Sequence, residues 1–103
     1  MKVVWKYDIP YDYQFDIDMP AGAKILCVGV PAGELCMYAE CVKGNLLESR
    51  TFKLFYTHSY FDDEGMSYVG SLSVGRYVAH VYEVHKQDTK EYVAMELPAR
   101  ATA

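Results

Sequence analysis

The sequence predicts an all-β, mostly antiparallel fold: a single compact β-sandwich or small barrel of seven to eight short strands, with residues 1–103 forming one domain. Three observations carry that prediction. Apolar and polar residues alternate with a period of two through most of the chain, and the longer period of an amphipathic helix is nearly absent. Turn-forming pairs of Pro, Gly and polar residues recur at intervals of roughly 10 to 15 residues, the punctuation expected of a sandwich or barrel. Hydrophobic residues make up 51% of the 103 positions and charged residues 23%, enough apolar material for one core.

In the first strand Val3, Trp5 and Tyr7 share one face, and Lys2, Val4 and Lys6 share the other. After Pro10-Tyr11-Asp12-Tyr13, the run Gln14-Phe15-Asp16-Ile17-Asp18-Met19 sends Phe15, Ile17 and Met19 inward and both aspartates outward, which is the pattern of a half-buried strand. Pro20-Ala21-Gly22-Ala23 and Pro31-Ala32-Gly33-Glu34 read as turns, because Pro presets φ early in a turn and Gly supplies the freedom needed later. Residues 24–30, between them, are apolar on both faces, so a central strand covered on both sides is expected there.

Residues 35–42 read as a strand in preference to two turns of helix, being short, bounded by Gly33 and Gly44, and containing Tyr, Cys and Val. A turn over residues 43–48 leads to a strand over residues 50–57, with Phe52, Leu54 and Tyr56 on one face and Lys53 and Phe55 on the other. Residues 58–66 have no period and form the longest interior loop. Residues 67–74 and 77–84 make a hairpin across Gly75-Arg76, and Gly in the first central position selects a type II′ turn. A β core over residues 2–84 is then followed by a C-terminal extension, residues 85–103, in which residues 92–97 suit an eighth strand or a short helix.

Charge excludes one class of function. A net charge of -4, with ten scattered basic residues, does not provide the clustered cations that phosphate neutralisation requires, so no direct nucleic-acid binding is expected. The acids fall into separate groups, Asp12, Asp16 and Asp18 and then Asp62, Asp63 and Glu64, and do not form the long acidic surface of a DNA mimic. Charge interrupts the N-terminal segment before a signal peptide's apolar run can form, and no stretch reaches the roughly 20 apolar residues of a membrane helix. A cytoplasmic protein is expected. Cys27, Cys36 and Cys41 then behave as reduced, half-buried hydrophobes. Cys36 and Cys41 differ in parity along one strand and point to opposite faces, so they cannot grip a metal together.

No phosphate loop, dinucleotide fingerprint, nucleophile elbow or H-E-x-x-H is present, so the chain is read as non-enzymatic, with no cofactor and no metal. His80 shares a hairpin face with Val78, Tyr82 and Val84, the setting of a packed, hydrogen-bonded imidazole. Asp62-Asp63-Glu64 lacks the spacing of a calcium loop. Cys41 and His58 have no orienting group that would make them a thiol and base pair.

Tyrosine departs most from average. There are ten, and Tyr11, Tyr13, Tyr56, Tyr60 and Tyr92 fall in or beside loops. A tyrosine ring offers a flat apolar face and a polar tip, suited to stacking on a base or anchoring an interface, although it is also a good strand residue. The candidate ligand-binding residues are therefore Tyr56, His58, Tyr60 and Phe61, with Arg50 and Arg76 as partners for a phosphate or carboxylate.

The segments Val3-Val4-Trp5-Lys6-Tyr7, Asp18-Met19-Pro20-Ala21-Gly22-Ala23-Lys24-Ile25-Leu26, Arg50-Thr51-Phe52-Lys53-Leu54-Phe55, Tyr68-Val69-Gly70-Ser71-Leu72 and His80-Val81-Tyr82-Glu83-Val84, in this order, resemble a family of small bacteriophage- and prophage-encoded proteins of unknown function. The resemblance covers residues 2–84. It implies a phage origin, a compact β protein and residence in the host bacterial cytoplasm. Relatives usually carry a Gly-His pair after the Phe52 to Phe55 strand, where this chain has Tyr56-Thr57-His58-Ser59-Tyr60, so the His is kept nearby and the Gly is not. The expectation that follows is a counter-defence protein that sequesters a nucleotide immune signal as a homo-oligomer. The alternatives are a protein-binding inhibitor of a host factor and a virion or assembly accessory.

Overall fold

The computed structural model describes residues 1–85. They form seven strands: β1 (Lys2–Asp8), β2 (Gln14–Pro20), β3 (Lys24–Gly29), β4 (Cys36–Val42), β5 (Leu47–Tyr56), β6 (Met66–Val74) and β7 (Tyr77–Val84), with one 3-10 turn at Pro31–Gly33. All pairing is antiparallel, in a three-stranded sheet of order β1-β4-β3 and a four-stranded sheet of order β2-β5-β7-β6. The expectation for residues 92–97 lies outside the described residues.

The inner faces of the two sheets make the core. Phe15, Ile17 and Met19 of β2, Phe52 and Leu54 of β5, Leu72 of β6, and Ala79 and Val81 of β7 pack with Met37, Ala39 and Cys41 of β4. The alternation in β2 is as clean as its sequence pattern, with each apolar residue buried and each aspartate exposed. Burying rows of this kind against each other supplies most of the driving force for the fold, at roughly 25 cal/mol for each Å² of apolar surface removed from water.

Two expectations are corrected. The central strand of the three-stranded sheet is β4, buried at Cys36, Met37, Ala39 and Cys41, and not the segment over residues 24–30. That segment supplies β3, an edge strand with Leu26 and Cys27 exposed. Apolar side chains on both faces suit a strand covered on both sides, but here Leu26 and Cys27 face solvent, and a register shift between Ile25 and Cys27 breaks the ladder there. The cysteines also differ from three half-buried thiols, since Cys36 and Cys41 are buried and Cys27 is exposed. Cys36 and Cys41 do lie on opposite faces of one strand: Cys41 sits in the core, and the Cys36 thiol points to Asp8 Oδ1 at 3.9 Å.

The hairpin forms as expected, with Val74 paired to Tyr77 and Gly75 at φ 63°. Positive φ at the first central residue and not at Arg76 is the requirement of a type II′ turn. The two sheets approach closely where β3 packs on β6: a Cβ on Gly70 would stand 2.8 Å from Val28 Cγ2. Any side chain there would force Val28 to shift, and the β6 register shift between Tyr68 and Gly70 adjoins the contact.

At one end the sandwich is closed by an ion pair. Arg50 and Glu83 continue the inward-facing rows of β5 and β7. Arg50 Nε donates to Glu83 Oε2 at 2.7 Å, Nη2 to Oε1 at 2.9 Å, and Nη1 to the Ala23 carbonyl at 2.6 Å.

Candidate functional site: an aromatic face

The outer face of the four-stranded sheet carries most of the unusual chemistry. In β5 the core takes Phe52 and Leu54, so Lys53 and Phe55 turn outward. Pairing sets Lys53 beside Tyr82, Phe55 beside His80, and Tyr68 beside Tyr82. Two residues outside the strands complete the surface. The carbonyl of Tyr13 accepts from Leu54 N at 2.9 Å, which holds its ring edge-on to Phe55 at 5.6 Å. Phe61 folds back from the loop and stacks on Phe55, with ring centroids 3.9 Å apart and planes 7° from parallel.

Phe61 and Tyr68 both meet Tyr82 edge to face, at 5.1 and 5.5 Å. The result is a continuous run of rings from Tyr13 through Phe55, Phe61 and Tyr82 to Tyr68. Such pairs add about 0.5–1.5 kcal/mol each beyond the area they bury, so the surface is preorganised. Lys53 Nζ sits at its margin, 5.9 Å from the centroid of the Tyr13 ring. Phe61 remains 39% exposed, Tyr68 58% and Tyr13 61%, so the rings present faces or edges to solvent.

A row of polar side chains adjoins the rings. Tyr68 Oη and Ser71 Oγ are 2.7 Å apart, Ser71 Oγ and His80 Nδ1 2.7 Å, and His80 Nε2 and Thr57 Oγ1 2.9 Å. His80 is the packed, hydrogen-bonded imidazole that its sequence position predicts. Both of its nitrogens are engaged, which fixes the ring and leaves neither free for a metal.

The structure brings most of the sequence-predicted residues to one end of this sheet and separates one. Tyr56 and Tyr60 line a cleft of about 330 Å³ with Tyr11, Asp12, Tyr13 and Ser59. Tyr60 is fully exposed. His58 follows β5 at φ 80°, in the left-handed region that a side chain rarely adopts. Thr57 N donates to Val78 O at 3.2 Å, and continuing that register brings His58 and the Arg76 turn to the same end of the sheet. Tyr56 meets Tyr77 at 6.2 Å and is 44% exposed despite its inward parity.

Arg50 stands apart. It lies six residues along β5 from Tyr56, about 20 Å for an extended strand, and its guanidinium is taken up by Glu83 and Ala23. The hydrogen bond to Glu83 also raises its pKa. These contacts join β5, β7 and the chain before β3 at one end of the sandwich.

Sequence reasoning omitted Tyr13, Lys53, Tyr68 and Tyr82 from the site. Parity alone places Lys53 with Phe55, and His80 with Tyr82. Joining those two rows needs the adjacency of β5 and β7, which are separated in sequence by β6. Chemically, the assembled surface can stack a planar ligand and hydrogen-bond its edge.

A family model described as a domain of unknown function, DUF7352, matches residues 1–91. No curated protein and no solved structure matches the chain. Among the described residues, no helix is long and apolar enough to cross a membrane.

Proposed function

The chain belongs to this DUF7352 family, whose function is not assigned, and within it we propose that the protein is a non-enzymatic binder of a nucleotide-type ligand held on the aromatic face. The observation that carries the reading is the continuous run of rings from Tyr13 to Tyr68 with Lys53 at its edge. A nucleobase stacks on exposed tyrosine and phenylalanine whatever its sequence context, and a nearby ammonium meets the phosphate. The phage origin, the host cytoplasm and the counter-defence role belong to the same proposal and rest on the sequence resemblance.

Magnitudes refine the ligand. One stacked base contributes about 1–3 kcal/mol, and one hydrogen bond to a charged group about 1.5–3 kcal/mol. Together these reach roughly millimolar affinity. Sequestration of a signal at micromolar levels therefore calls for two bases engaged at once, either both bases of a dinucleotide or one on each subunit of an oligomer.

The test is a calorimetric and NMR titration of the full chain with mononucleotides, cyclic dinucleotides and ADP-ribose-type compounds. Binding that is lost in Tyr68→Ala and Tyr13→Ala, with the ligand recovered intact after denaturation, supports the proposal. Recovery of a hydrolysed ligand would show an enzyme, and failure of every compound at millimolar concentration would remove the ligand class. Tyr60, fully exposed beside Tyr11, favours a host protein as the second reading, since protruding tyrosines make good interface anchors.

A further inference from the structure

The four edge strands are not equally protected. β3 and β6 each carry a register shift that interrupts the edge. β2 turns Asp16 and Asp18 outward and ends at Pro20, which has no N–H to offer. Bulges, charges and proline are the usual means of preventing sheets from joining edge to edge. β1 has an unbroken register, Lys2 with Val42 through Asp8 with Cys36, and no proline within it. Its exposed charges, Lys2, Lys6 and Asp8, are of both signs, so they can complement those of a second copy where the single-sign Asp16 and Asp18 of β2 would repel. β1 also exposes apolar side chains on both faces, with Val3 at 42%, Trp5 at 55% and Val4 at 57%. Trp5 and Val3 lie on the inward-facing side, where no strand among the described residues covers them, and line a groove with Tyr7, Pro20, Cys41 and Leu47.

We propose that β1 pairs antiparallel with β1 of a second copy about a two-fold axis at Trp5, joining two three-stranded sheets into one. The backbone permits this pairing. Lys43 N donates to Met1 O at 3.0 Å and Ile9 N to Leu35 O at 2.9 Å, so odd-numbered residues direct their N–H and C=O groups to β4. Alternation leaves those of Lys2, Val4, Lys6 and Asp8 directed to the free edge. A two-fold axis through the strand must then match even residues with even ones.

Charge and strand overlap together select one register. With the axis at Trp5, Lys2 faces the partner's Asp8, Val4 faces the partner's Lys6, Val3 faces the partner's Tyr7, and the two Trp5 rings meet over the groove. With the axis at Val4, Lys2 would face the partner's Lys6 at both ends. With the axis at Lys6, the two Lys6 residues would oppose each other, and Lys2 would meet the partner's Pro10, which has no N–H. An axis at Tyr7 also sets Lys6 against the partner's Asp8, but it puts Val4 opposite the partner's Pro10 and leaves Lys2 beyond the paired strand. An axis at Val3 pairs only residues 2–4. Like charges directly opposite destabilise a strand pair, and opposite charges stabilise it. The occupant is thus a second copy, and the pairing stands whether or not the aromatic face binds a nucleotide. One strand and one groove bury less than a standard interface, so dissociation in roughly the micromolar range is expected.

The experiment is sedimentation velocity of the full chain across concentration, followed in parallel by emission of Trp5, the only tryptophan. Wild type should pass from monomer to dimer as Trp5 emission shifts to the blue. Val4→Pro removes an N–H that β4 does not use, so it should weaken dimerisation at least about tenfold while keeping the cooperative unfolding of wild type. Should Val4→Pro disturb the fold, Asp8→Lys decides. That variant sets like charges opposite at both ends and should also dimerise about tenfold more weakly or worse, as should Lys2→Glu. An equimolar mixture of the two restores opposite charges and should recover the dimer. A wild type that stays monomeric overturns the proposal, and blue-shifted emission in that monomer would indicate residues 86–103 on the edge instead. A dimer that survives folded Val4→Pro, or a mixture that fails to recover, overturns it equally.

Discussion

Replacing Arg50 by Met keeps most of the aliphatic stem but removes three donated hydrogen bonds, two to Glu83 and one to the Ala23 carbonyl. Glu83 is left with a carboxylate whose side chain is 13% exposed and has lost its counter-charge. Losing one partner of a fully buried pair costs about 3–5 kcal/mol. Here the two side chains keep 17% and 13% exposure, so water recovers part of the loss and about 2–3 kcal/mol is expected. For a domain of this size that lowers Tm by roughly 10 °C or more. Urea unfolding followed by far-UV circular dichroism measures it. Arg50→Met/Glu83→Leu should recover most of the loss, because the stranded charge is gone, giving a coupling energy of about 1.5–2 kcal/mol. Nucleotide affinity, measured on the folded fraction, should stay at the wild-type value. A cost below about 0.5 kcal/mol, or an additive double mutant, would refute the view that Arg50 closes the sandwich. Loss of ligand binding at unchanged stability would return Arg50 to the site.

Gly70→Ala should cost about 1–3 kcal/mol, because its Cβ would meet Val28 Cγ2 at 2.8 Å, and adding Val28→Ala should recover part of that in the same unfolding assay. His58→Gly should raise stability by about 0.5–1 kcal/mol, since φ 80° is strained for a side chain and free for glycine; a loss would show that the imidazole holds the turn. Burial, reinforced by the contact with Cys41 Sγ at 3.8 Å, pushes the Tyr7 hydroxyl up to about 12. Its folded pKa thus exceeds the unfolded value, so its contribution is whole below pH about 10 and is lost as pH rises from there through about 12. Thermal unfolding across that range should fall more steeply for wild type than for Tyr7→Phe, and identical profiles would contradict the assignment.

The parts of the fold legible in the sequence were those set by local rules. Asp16 and Asp18 announce the exposed face of β2, and Gly75-Arg76 announces the hairpin, because alternation and turn chemistry are decided within a few residues. Strand order is decided by partners far away in sequence. The segment containing Leu26 and Cys27 reads as a centre and stands at an edge, whereas Cys36 to Val42, ambiguous in composition, takes the centre. The site shows the same division. Tyr56, His58, Tyr60 and Phe61 are neighbours in sequence and share one end of a sheet. Phe61 stacking on Phe55 and meeting Tyr82 required the β5 and β7 pairing. Arg50 looked free because Glu83, its partner, stands 33 residues away.

The pairing of β1 with β4 also sets a schedule for the nascent chain. Asp8 meets Cys36, and Lys2 meets Val42, so β1 needs partners made 28 to 40 residues later. At about 5–20 residues per second, that is a wait on the order of seconds. Its neighbour β2 waits as well, since Gln14 pairs with Lys53. The β6–β7 hairpin, synthesised after both, closes across two residues and can form in microseconds. Until β4 emerges, Val3, Val4 and Trp5 are therefore presented without the strand that receives them.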